Sequence, residues 1–182
     1  MIPLRSIGLP TSLTLLRIAL AVPLIGLCYW EFEQGRELRL WTFALFVFAS
    51  VTDYADGYLA RRFNSTTVWG GALDSVADKI LVLCAFISLL LVDSMEWFGG
   101  SMAAILLGRD FLMSGLRSAN LTSVTEVSYL AKVKTTLLLL SLALLLLNYP
   151  PLLFVGQWGV IASVLLSLWT AIRYLRAIRI AK

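Results

Sequence analysis

The stretch Asp53-Tyr54-Ala55-Asp56-Gly57-Tyr58-Leu59-Ala60-Arg61, followed eight residues later by Gly70, Asp74 and Asp78, sets four carboxylates close together in an otherwise apolar chain. Asp53 and Asp56 are three positions apart and Asp74 and Asp78 four, so helical geometry puts each pair on one face of its helix. Two helices presenting two acids each, joined by a short polar turn, form an oxygen-rich set suited to hard divalent cations. The pattern points to phosphoryl transfer assisted by two metal ions. Gly57 and Ala60 lie on or near the face of the first pair, and Gly70 and Gly71 open the next helix. Small residues there let a ligand or a second backbone approach closely.

The surroundings of this stretch fix the class. Of 182 residues, 59% are hydrophobic and 14% charged, with a mean hydropathy of +0.86. Soluble chains are roughly 45–50% apolar and about 25% charged, so the chain reads as a polytopic membrane protein. About 20 apolar residues span the hydrocarbon core as a helix. Segments 12–31, 40–62, 69–92, 97–117, 126–148 and 155–176 meet that length, which predicts an all-α protein of six transmembrane helices. The connections fall at Glu31–Arg39, Asn64–Thr67, Asp93–Glu96, Asn120–Thr125 and Asn148-Tyr149-Pro150-Pro151. Without a repeat, a low-complexity tract or room for a soluble domain, residues 1–182 are expected to form a single membrane domain. Pro10 and Arg17 interrupt the first apolar run and no small-residue cleavage site follows it, so it reads as a permanent span rather than a secretory signal.

Basic residues orient the bundle. With both termini on one side, that side receives all of the 15 Lys and Arg residues except Arg36 and Arg39. By the positive-inside rule the termini and the acidic stretch are cytoplasmic. The opposite side carries Glu31, Glu33, Glu37, Asp93 and Glu96. The net charge of +4 therefore reflects topology and attraction to anionic lipid, not nucleic-acid binding. Trp97, Trp158, Trp30 and Trp41 suit interfacial anchoring. Cys28 and Cys84 fall in spans and read as buried apolar thiols. Histidine is absent, so acid–base chemistry rests on carboxylate, Lys, Tyr or Cys groups.

An ionised acid at mid-bilayer costs roughly 2.5–3.5 kcal/mol, and incidental charges have no reason to share a face, so the four acids read as a functional site. A basic group accompanies them. Arg109, Met113 and Arg117 recur at helical spacing on the fourth span, and Lys132 and Lys134 open the fifth. Two positions apart, the lysines point in different directions, one toward the site and one toward lipid headgroups. Such a group suits an acceptor that bears its own phosphate, although the positive-inside bias alone also places cations there.

The pattern D-x2-D-G-x2-A-R-x8-G-x3-D-x3-D, matched at Asp53, Asp56, Gly57, Ala60, Arg61, Gly70, Asp74 and Asp78, resembles the signature of the CDP-alcohol phosphatidyltransferases. The resemblance implies a six-helix membrane enzyme, a homodimer, that uses Mg²⁺ or Mn²⁺ to displace CMP from a CDP-linked lipid with an alcohol. It implies Asp53, Asp56 and Asp74 as metal ligands. Asp78 would be the catalytic base that also touches a metal, and Asp56, Gly57, Ala60, Arg61 and Gly70 would border the CDP moiety. Ser114-Gly115-Leu116-Arg117, Val127-Ser128, Lys132-Val133-Lys134-Thr135, the opening Pro10–Arg17 run and the Leu73–Lys79 run are similar to the phosphatidylglycerophosphate synthase branch of that family.

That likeness, over roughly residues 9–136, implies CDP-diacylglycerol as donor and glycerol 3-phosphate as acceptor. Arg109, Arg117, Lys132 and Lys134 would hold the acceptor phosphate, in the inner membrane of a bacterium. The chain has Gly108-Arg109-Asp110 where the family has Ala-Arg-Glu, and Ala131 where it has Gly. The shorter Asp110 is expected to hold Arg109 or Arg117 differently. The last span carries no diagnostic residue. Inositol phosphate or phosphatidylglycerol as acceptor is the alternative within the class. A divalent-cation transporter is the alternative outside it, and it predicts acids near the bilayer midplane and two matching repeats.

Overall fold

The computed structural model describes residues 9–34, 38–62, 68–91, 96–118 and 129–180, and the side chains of 19–33, 38–52, 76–91, 99–116, 130 and 132–176. Six α-helices follow in order: α1 (Leu9–Gln34), α2 (Arg39–Arg62), α3 (Val68–Leu91), α4 (Glu96–Ser118), α5 (Tyr129–Leu147) and α6 (Pro150–Ile180). No strand occurs among the described residues. For α2, α3 and α4 the hydropathy of the sequence places both ends to within a residue. Among the described residues one stretch, Pro150–Arg176, is both long and apolar enough by itself to cross a membrane.

The chain divides into two compact units, 1–93 and 94–182. In the first, α1 packs against both α2 and α3. The seam is written at helical spacing: Ala21, Leu24 and Cys28 on α1, Thr42, Phe46 and Ala49 on α2, and Ala77, Leu81, Cys84, Ala85, Ser88 and Leu89 on α3 are all buried. Many of these are small, which lets helix backbones approach closely. Cys28 and Cys84 are free thiols in this seam, as their apolar settings predict. At one end Arg39 Nε donates to Glu31 Oε1 at 2.9 Å, linking α1 to α2. Glu31 is 9% exposed, so the pair satisfies a carboxylate that would otherwise sit nearly dry.

In the second unit α6 packs against α5 and α4. Its start differs from the expected turn at Asn148–Pro151. The turn is shorter, and Pro150 and Pro151 open the helix. The first-turn N–H groups of a helix have no intrahelical acceptor, so the missing proline N–H costs nothing there, and the fixed φ suits the helix. Tyr149 O accepts from Leu152 N and Leu153 N at 2.8 and 3.2 Å, which begins the helical ladder. Asn148, at φ 50°, ends α5 in the left-handed region that asparagine tolerates. Further along, Gly156 and Gly159 face α5 so closely that a Cβ on Gly156 would stand 2.7 Å from Leu145 Cγ, and one on Gly159 would collide with Ser141. The buried Leu142, Leu145, Leu146, Val160 and Val164 complete the seam.

Trp30, Trp41 and Trp158 are exposed at 54%, 69% and 57%. Phe154 meets Trp158 edge-on at 5.9 Å between centroids. Trp97 lies outside the described side chains.

Gly156→Leu is expected to destabilise the α5–α6 pair by about 1–3 kcal/mol through overpacking. Gly26→Ala, with nothing within 4 Å of the added methyl, is expected to be neutral or stabilising by up to about 1 kcal/mol from helix propensity. Thermal unfolding of both variants in detergent checks this, and equal midpoints would contradict the close packing of Gly156.

Candidate functional site

Asp53, Asp56, Gly57, Ala60 and Arg61 lie in the C-terminal part of α2, and Gly70, Asp74 and Asp78 in the N-terminal part of α3. At 1.5 Å rise per residue, Asp56 and Asp74 each stand roughly 9 Å along the helix from the ends that the connection joins, and Asp53 and Asp78 roughly 14–15 Å. Measured along its own helix, each acid thus lies about as far from the connection as its counterpart on the other helix. The side chains of Asp53, Asp56, Gly57, Ala60, Arg61, Gly70 and Asp74 lie outside the described residues, as does that of Arg117. Asp78 is described and exposed. Its neighbour Ala77 and the next-turn Leu81 are 1% and 3% exposed, so Asp78 stands beside the packed seam of α3. Among the described residues no three His, Cys, Asp or Glu side chains come together.

The basic group belongs wholly to the second unit. Arg109 on α4 and Lys134 on α5 are 13% and 12% exposed and share one acceptor. Arg109 Nη1 donates to Asp110 Oδ1 at 2.7 Å and Lys134 Nζ to the same oxygen at 3.3 Å. Lys132 is exposed, so the two lysines part as their spacing on a helix requires. The shorter acid of the Gly108-Arg109-Asp110 triplet thus sits between Arg109 and Lys134.

Two residues of α6 that belong to no motif complete this network. Arg109 Nε donates to the carbonyl oxygen of Ser167 at 3.2 Å and Arg109 Nη2 to Thr170 Oγ1 at 3.0 Å. Lys134 Nζ donates to Ser167 Oγ at 3.1 Å, and Thr170 Oγ1 donates to Ser167 O at 2.8 Å. Buried cations need such partners, because a desolvated charge without them is far more costly than the bonds are stabilising. The recurrence of Ser163, Ser167 and Thr170 at helical spacing in a leucine-rich helix was the available clue.

The chain matches the CDP-alcohol phosphatidyltransferase family over residues 7–169. It is 36% identical over 179 residues to the CDP-diacylglycerol–glycerol-3-phosphate 3-phosphatidyltransferase of Salmonella choleraesuis (strain SC-B67), covering 94% of this chain and 95% of that one. Proteins of the same name from Rickettsia typhi and Rickettsia bellii are 40% and 41% identical over 143 residues, or 78% of this chain and 77% and 76% of theirs.

A double-mutant cycle on Asp110→Asn and Lys134→Met, read by unfolding in detergent, is expected to give a coupling energy of about 0.5–1 kcal/mol. The value is modest because Asp110 is partly exposed. Additive effects would contradict the shared carboxylate.

Proposed function

Because this chain belongs to the CDP-alcohol phosphatidyltransferase family, we propose that it moves the phosphatidyl group of CDP-diacylglycerol to glycerol 3-phosphate, releasing CMP and forming phosphatidylglycerol phosphate. The chain is a transferase of phospholipid biosynthesis. The observation that carries the substrate assignment is full-length similarity to relatives named for that reaction, together with an acidic motif complete at all eight positions.

The donor set fits a hard divalent cation. The motif supplies carboxylate oxygens only, the chain has no histidine, and both thiols are buried in the seam of the first unit. Asp53, Asp56, Asp74 and Asp78 would hold Mg²⁺ or Mn²⁺, two ions in this reading. When bound they would neutralise the pyrophosphate of the donor and stabilise the departing CMP. Asp78, exposed on α3, takes the proton of the attacking glycerol hydroxyl. That oxygen bonds to the phosphorus carrying the diacylglycerol, and the pyrophosphate bond to CMP breaks. Gly57, Ala60, Arg61 and Gly70 border the CDP head, and the absent or short side chains of Gly57, Ala60 and Gly70 leave room for it. Arg109, Arg117, Lys132 and Lys134 receive the acceptor phosphate through charge-assisted hydrogen bonds.

The six helices, 19 to 31 residues long, serve as six spans, with both termini and the acidic motif at the cytoplasmic face of a bacterial inner membrane. Large apolar side chains exposed along them, among them Phe48, Leu140 and Leu165, suit contact with acyl chains. The charge asymmetry supports the orientation. The whole chain acts as one catalytic domain, since the family match runs through both units, and it works as a homodimer.

Labelled glycerol 3-phosphate should enter the lipid fraction only with CDP-diacylglycerol and a divalent cation present. Asp78→Asn is expected to lower this transfer by about 10²–10⁴-fold, as for loss of a general base, with CDP-diacylglycerol binding kept. Full activity would remove Asp78 from the proton transfer. Arg117→Ala is expected to raise the KM for glycerol 3-phosphate by roughly 10- to 100-fold and leave that for CDP-diacylglycerol within about 2-fold. Equal effects on both substrates would assign Arg117 a structural role.

A further inference from the structure

We infer that Ser167 and Thr170 of the last helix are positioning residues for the acceptor phosphate, acting through Arg109 and Lys134. The inference rests on the acceptor reading above, and extends it to a helix that no motif marks.

One turn of α6 meets both cations. The Ser167 carbonyl and the Thr170 hydroxyl take Arg109 Nε and Nη2, so two edges of the planar guanidinium are fixed from α6 while Asp110 fixes the third. Thr170 is itself oriented, because its hydroxyl donates to Ser167 O at 2.8 Å. The proton of that hydroxyl is committed to the backbone, which leaves its oxygen to accept from arginine. Ser167, 1% exposed, offers its hydroxyl oxygen to Lys134 at 3.1 Å. The arginine of α4 and the lysine of α5 are thus held at one place by α6.

Arg and Lys lose more rotamer freedom on ordering than almost any other side chain. Ordering them before the ligand arrives moves that loss out of the binding step. Phosphate recognition by a guanidinium depends on the direction of its planar fork, so a guanidinium fixed on three sides presents its remaining donors in one orientation. Arg109 uses three of its five N–H groups on protein acceptors. Asp110 also joins the two cations through one carboxylate oxygen, so they are held side by side. The bonds from α6 come from neutral hydroxyls and a carbonyl, which direct the cations without cancelling their charge.

The test is steady-state transfer by the full-length protein in detergent, with both substrates varied. Thr170→Val keeps the shape and removes the acceptor for Arg109. Ser167→Ala removes the acceptor for Lys134 and keeps the carbonyl bond to Arg109. Each is expected to raise the KM for glycerol 3-phosphate by about 5- to 20-fold, below the full scale of one hydrogen bond to a charged group because each cation keeps its other partners, with kcat and the KM for CDP-diacylglycerol within about 2-fold. Thr170→Ser should restore the wild-type value.

Parallel rises in both KM values, a fall in kcat alone, no change, or failure of Thr170→Ser to rescue would each overturn the positioning role. A wild-type protein that uses no phosphorylated acceptor would overturn it together with the function proposed above. If Arg117→Ala raises the acceptor KM while Thr170→Val and Ser167→Ala do not, the positioning role alone fails.

Discussion

Charge in an apolar chain is the constraint on which this structure depends. An ionised group away from water needs a counter-charge, hydrogen bonds or a ligand, or it neutralises. The chain meets that demand in three ways. Glu31 is paired with Arg39 across the first helix connection. Arg109 and Lys134 share Asp110 and lean on α6. The four acids of α2 and α3 stand a few turns from the helix ends, where metal ions supply the positive charge in the proposed reaction. The first arrangement ties two helices together, and in the proposed reaction the other two furnish chemistry.

Each unit has a helix that packs against its two companions, α1 in the first and α6 in the second. The contacts of α1 lie along small and apolar side chains, continuing toward the part of α3 that carries Asp78. Those of α6 change character along its length. Near its start, Gly156 and Gly159 bring the backbone against α5. Farther on, Ser167 and Thr170 replace close packing with hydrogen bonds to cations. Tight packing in the glycine half limits how α6 sits on α5, and the position of its hydroxyls follows from that seat.

Much of this was legible in the sequence. Hydropathy located six helices because runs of about 20 apolar residues have few other fates. The acidic motif was legible because carboxylates in such runs are costly and therefore rare. The start of α6 was misplaced because Pro150 and Pro151 read as a turn, whereas proline is also at home in a helical first turn. Ser167 and Thr170 went unread for a different reason. Hydroxyls are tolerated in apolar helices because they can bond their own backbone, as Ser50, Thr52, Thr136 and Ser141 do here. Only the tertiary contact separates a hydroxyl that serves its own helix from one that also serves a cation. The closeness at Gly156 was hidden likewise, since a glycine in a helix looks the same whether open space or Leu145 faces it.

The central claim is that the acidic motif runs a metal-dependent displacement of CMP by glycerol 3-phosphate. The most direct measurement is CMP release by the purified protein from CDP-diacylglycerol. Glycerol 3-phosphate, inositol phosphate, phosphatidylglycerol and serine would be offered separately, each with and without a chelator. The account predicts release with glycerol 3-phosphate alone, abolished by the chelator and restored by Mg²⁺ or Mn²⁺. Release with a different alcohol would contradict the acceptor assignment, and no release with any of them from folded protein would contradict the account as a whole.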